Sequence, residues 1–109
     1  MTPMQRKMSA YSNWIRLFIE GILYEGTVDQ AILTEIGEEV CQARGELFLY
    51  ASDTVLVKLL TYVDVCNNPD SSEDDAIMAF ADMALEMRKE NIDTVLGQED
   101  FIKIIEGGD

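Results

Sequence analysis

Glu35, Glu38, Glu39 and Glu46 crowd one stretch of the chain, and Glu38 and Glu39 stand three and four residues after Glu35. On a helix that spacing makes side chains neighbours. Two neighbouring carboxylates work as acid and base when burial splits their pKa values. Nothing around these glutamates predicts burial, so a solvated helix face is the simpler reading, and Asp82 with Glu86 reads the same way. Cys41 and Cys66 are the only cysteines, and each falls within a predicted helix. Arg44 is the one cation close enough in sequence to favour a Cys41 thiolate. Both are expected as buried free thiols in a reducing cytoplasm, not as a disulfide.

Other chemistries fail on residue type. Histidine is absent, which removes Ser-His-Asp and Cys-His nucleophilic sites, imidazole acid–base work and the Glu-x-x-His di-iron pattern. There is no glycine-rich phosphate loop or dinucleotide fingerprint. Two separated cysteines do not make a zinc ligand set. The acidic run from Asp64 to Asp75 invites comparison with a calcium loop, which needs oxygen ligands at positions 1, 3 and 5 and glycine at 6. Counted from Asp64, position 3 is Cys66 and position 6 is Pro69. No metal and no cofactor is therefore expected, and no catalytic residue is assigned.

One polar interruption remains, Ser52-Asp53 in "YASDTVLVKLLTYVDVC" (50–66). It is either a site or a helix boundary. Ser52 is a good N-cap, and Asp53 adds negative charge to the first turn of the next helix. Punctuation is the simpler reading. Arg88 follows an inward-facing methionine and is placed to reach Asp53 or Glu46. Ser52, Asp53 and Arg88 are thus the candidate polar clamp between helices.

The elements that would position these residues are all helical. Thr2, Pro3 and Gln5 predict a capped start for a first helix, whose inward stripe reads Met8, Tyr11, Ile15, Phe18 and Ile22. Trp14, Leu17, Ile19 and Leu23 lie outside that stripe, so the apolar surface wraps over half of the helix. Gly26 suits its end, and Thr27 with Gln30 suits the start of a second helix from about Val28 to Tyr50. Leu33, Ile36, Val40, Ala43, Leu47 and Tyr50 form its seam. Gly37 and Gly45 interrupt that helix at about 1 kcal/mol each relative to alanine, which suggests close helix approach or a bend. A third helix, about Asp53 to Cys66, is apolar on nearly every side and belongs in a core or an interface. After "NNPD", Ser72 and Asp75 suit a capping box for a fourth helix with Ile77, Phe80, Ala84 and Met87 inward. A short fifth spans about Gln98 to Ile105.

"GELFLYASDTVLVKLLTYVD" (45–64), followed by "MALEMRKENIDTVLGQEDFIKII" (83–105), resembles a helical domain of uncharacterised bacterial proteins. That domain has a Ser-Asp turn and a Met-Arg-Lys-Asp-Leu-Gly-like segment. The likeness spans about residues 28–105. Ser52, Asp53, Met87, Arg88 and Lys89 match, while Glu90-Asn91 departs from the Asp-Leu-Gly end. In many such proteins a membrane-spanning segment precedes this region, and none is read here. The resemblance implies helices and a pairing of Asp53 with Arg88, and it implies no activity.

Length and composition bound the rest. The 109 residues suit one domain, 1–109, and 48% hydrophobic content is enough for a core without disulfides or metal. A net charge of −13 disfavours nucleic acid and anionic membrane surfaces, which are bound by cations. It suits solubility or a basic protein partner. No signal peptide or membrane span is read, and a cytoplasmic location is expected. The fold expected is a compact all-α bundle of four main helices plus a short C-terminal helix. The function expected is a non-enzymatic interaction or scaffold domain, self-associating as a homodimer, with Trp14, Leu17, Phe18 and Tyr24 as contacts. Two alternatives stand beside it. One is a small-molecule binder with an apolar cavity between helices, lined by Phe18, Phe80, Met83 and Met87. The other is an acidic decoy for a basic protein.

Overall fold

Thr2 and Gln5 cap the first helix reciprocally. The Gln5 amide donates to Thr2 Oγ1 at 3.1 Å, and the Thr2 amide donates to Gln5 Oε1 at 2.8 Å. The computed structural model describes residues 1–23 and 30–106. These form five helices and no strand among the described residues: α1 (Pro3–Leu23), α2 (Gln30–Tyr50), α3 (Asp53–Asn67), α4 (Glu73–Lys89) and α5 (Gln98–Glu106). The expected boundary at Gly26 and Thr27 lies outside the described residues, as does Tyr24. The chain is all-α, with four long helices and a short fifth. The chain divides into two compact units, Met1–Ala51 and Ser52–Asp109.

The first unit is a hairpin of α1 and α2. The Arg6 guanidinium lies 6.0 Å from the Tyr50 ring centre, and Arg16 lies 3.8 Å from Glu39. Early α1 therefore faces late α2, and the two helices run antiparallel. Ala10, Tyr11, Trp14 and Leu17 on α1 are buried, as are Ala43 and Leu47 on α2. These positions recur at three- and four-residue steps, so each set is one helical stripe. The α2 seam was placed correctly at Ala43 and Leu47. Of the expected α1 stripe, Tyr11 is buried, Met8, Ile15 and Phe18 are half-buried, and the Ile22 side chain lies outside the described ones; Trp14 and Leu17 share the inner positions.

In the second unit, α3 and α4 are also antiparallel. Lys58 pairs with Asp82, and the Tyr62 ring meets the Phe80 ring edge-on at 5.5 Å. Phe101 of α5 lies 6.1 Å from Phe80 on its other side, tilted by 31°. Phe80 thus joins all three helices of this unit. Ser52 caps α3 by accepting from the Val55 amide at 3.2 Å. Ser72 and Asp75 close a capping box on α4 at 3.1 and 2.9 Å. Glu73, Asp74 and Asp75 stand in the first turn of α4, and Arg88 and Lys89 in its last. Both sets complement the helix dipole.

Within the second unit α4 is buried more deeply than α3. Phe80, Ala81, Met83, Ala84, Leu85 and Met87 are all buried, which covers more than half of the helix circumference. On α3 only Val55 is buried, while Val57 and Leu60 are 61% and 63% exposed. Small side chains explain the exchange. Ala81 and Ala84 let neighbouring groups approach α4 closely, whereas the branched residues of α3 cover more area than one neighbour can hide.

Candidate functional site

The carboxylates singled out by spacing are not buried together. Glu35 and Glu38 are exposed, and Glu39 and Glu46 are half-buried. Glu39 and Glu46 line one shallow groove on the α1–α2 hairpin, of about 340 Å³, with Ser9, Asn13, Arg16 and Gln42. Arg16 organises it, donating to Asn13 Oδ1 at 2.7 Å and Glu20 Oε1 at 2.8 Å. Gln42 donates to Glu46 Oε1 at 3.4 Å. The groove walls are charged and solvated. Its carboxylates already have a cation or an amide beside them.

The clamp forms from different residues. Arg88 is exposed and its Nε donates to Thr94 Oγ1 at 3.1 Å, within the turn that follows α4. Asp53 is exposed on the first turn of α3. The contact between the start of α3 and the end of α4 is instead a hydrogen bond from Ser52 Oγ to the Glu90 carboxylate. Ser52 makes this contact with Glu90, a residue the expected clamp of Ser52, Asp53 and Arg88 did not include. The physical reason is reach: Thr94 lies one turn away from Arg88 along the chain, and Glu90 caps α4 directly opposite Ser52.

A second bridge was missed. Lys58 Nζ lies 2.7 Å from Asp82 Oδ2, between α3 and α4. The hydrogen bond to Asp82, then its charge, raises the Lys58 pKa above the ordinary 10.5; Glu86 adds to this, and partial desolvation opposes it. Lys58 did carry a signal in the sequence, because a lone cation in an apolar helix needs an anion from a neighbouring one. Glu90 carried none, since its partner stands far away in sequence.

Trp14, Leu17, Cys41 and Cys66 are not where the sequence placed them. Trp14 and Leu17 are 6% and 5% exposed, so they are core residues of the chain and not contacts offered to a partner. Phe18 is half-buried. Cys41 and Cys66 are both free and exposed, contrary to the core-thiol expectation, because each lies on the outer side of its helix. Phe80, Met83 and Met87 are buried to 2% exposure or less. They pack as core, with Phe80 held between two rings.

Comparison of the chain with family models, with curated proteins and with solved structures returns no match. Its chemistry is therefore read from its own geometry. Among the described residues, no three His, Cys, Asp or Glu side chains gather closely enough for a metal ion. No described helix is long and apolar enough to cross a membrane.

What the surface does offer is apolar. In the first unit, Phe48 and Leu49 at the end of α2 are 76% and 69% exposed; in the second unit, taken by itself, Val57 and Leu60 on α3 are exposed as well. Upstream of Phe48, Gly37, Cys41 and Gly45 are exposed at four-residue intervals. A Cβ added at either glycine meets nothing within 4 Å.

Proposed function

We propose that the chain is a non-enzymatic protein-interaction domain that self-associates as a homodimer through apolar helix faces. The observation that carries this reading is the outward exposure of Phe48 and Leu49 on a well-formed helix. Single exposed apolar residues are ordinary, whereas adjoining large ones on a rigid element mark contact surfaces. Of the carboxylates that would support an enzyme, Glu39 and Glu46 line a solvated groove beside Arg16 and Gln42, and Glu35 and Glu38 are exposed outside it. The net charge of −13 keeps the chain soluble despite these surfaces. It also leaves a basic protein as the second reading, favoured by that charge alone.

Native mass spectrometry of the purified chain, backed by light scattering at micromolar concentration, tests the first reading. A dimer mass is expected. A monomer throughout that range overturns self-association, and salt-sensitive capture of a basic partner by that monomer would favour the second.

A further inference from the structure

We propose that two copies of this chain pair antiparallel through the outer face of α2, with Cys41 at the two-fold axis. The proposal rests on the self-association reading above and names the surface that serves it. The occupant of this face is a second copy because the face is complementary to itself.

In a two-fold contact the same patch meets itself, so each residue on one side of the axis must suit its counterpart on the other. With the axis at Cys41, Glu38 and Arg44 stand three residues to either side, about 4.5 Å along the helix. Glu38 of one copy is then level with Arg44 of the other, and both side chains are exposed. Two such opposite-charge pairs form. A parallel arrangement would set Glu38 against Glu38 and Arg44 against Arg44. Charge therefore selects the antiparallel one.

The same axis sets Gly37 level with Gly45 of the other copy. Helices packed on side chains lie about 8–10 Å apart, and the distance depends on the residues at the contact. Bare backbone at these positions permits a closer approach. Among the described residues nothing lies within 4 Å of a Cβ added at either glycine, so none of them packs closely against the bare positions. Phe48 and Leu49, 76% and 69% exposed, lie at the two ends of the paired stretch. There they lay apolar area over the other copy on both sides of the glycine contact.

The test compares variants of the full chain by light scattering and by oxidation with diamide. Diamide accepts the two hydrogens released when two thiols join. Cys66→Ser, which keeps Cys41, is expected to give a covalent dimer on a non-reducing gel, and Cys41→Ser is expected to give none. Gly45→Leu is expected to remain helical by circular dichroism, since the space there is open, and to run as a monomer. Arg44→Glu is expected to weaken the dimer by roughly ten-fold, from surface charge pairs made repulsive. Adding Glu38→Arg to it should restore the dimer. A dimer that persists in Gly45→Leu, or that cross-links through Cys66 and not Cys41, overturns this face while leaving self-association standing. A wild-type monomer overturns both.

Discussion

Ser52 makes two contacts with one hydroxyl. Its oxygen accepts from the Val55 amide, and its proton goes to Glu90. Replacing it with alanine removes a cap, which costs about 1 kcal/mol, and also removes the hydroxyl hydrogen bond to Glu90. Ser52→Ala is therefore expected to lower stability in urea denaturation by slightly more than a cap alone. Ser52→Asp would keep the cap and repel Glu90, and should fall between the two. Arg88 gives the opposite expectation. It is exposed on a turn contact to Thr94, and Arg88→Met should move stability by no more than about 0.5 kcal/mol. A large loss would return Arg88 to the role of a clamp between helices. Lys58 carries a pH dependence. Its pKa is higher when folded than the ordinary 10.5. Its stabilisation is therefore complete below that value and is lost as pH rises through the raised folded value. An alkaline unfolding series should show this slope in the wild type and lose it in Lys58→Met.

At the scale of the helix, Gly21 isolates the cost of a bare position. It is exposed on α1 with nothing within 4 Å of an added Cβ. Gly21→Ala is expected to raise stability by up to about 1 kcal/mol, seen as a higher midpoint in thermal unfolding. Met83→Ala runs the other way: this side chain is fully buried on α4, and the change should cost about 2–5 kcal/mol. Helix boundaries were legible in the sequence because capping is local. Thr2 with Gln5, Ser52, and Ser72 with Asp75 all cap where their spacing says. The ranking of helices by burial was not legible. Val57 and Leu60 look like core by type, yet whether an apolar face is covered depends on how many neighbours the fold sets around it. Ala81 and Ala84 look unremarkable in sequence and turn out buried, because small size matters only once a neighbour is beside them. Trp14 failed for a related reason. An apolar surface that wraps most of α1 does not say which of its stripes faces α2.

At the scale of the whole chain, charge opposes association. Each copy carries −13, and raising salt from about 0.01 to about 0.1 M shortens the screening length from about 30 to about 10 Å. That range weakens the diffuse repulsion between copies far more than it weakens a charge pair in contact. The dimer proposed here should therefore tighten as salt rises over this range, as measured by sedimentation or light scattering. Loosening would show that a few attractive pairs dominate the contact. The candidate groove was only partly legible at this scale. Glu39 and Glu46 were singled out by spacing. Arg16, which neutralises that face from α1, is visible only once the two helices fold back on each other.

The placement of the aromatic rings separates the two halves of the chain in light. Trp14 is the sole tryptophan and is buried on α1, while the second unit is packed around Tyr62, Phe80 and Phe101. Emission excited at the red edge of the absorption band therefore comes from indole alone and follows the environment of the α1–α2 hairpin. Far-ultraviolet ellipticity sums over every helix. The difference between the two signals in one melt reads out the second hairpin without a label, and α3, α4 and α5 become observable through a ring that none of them carries.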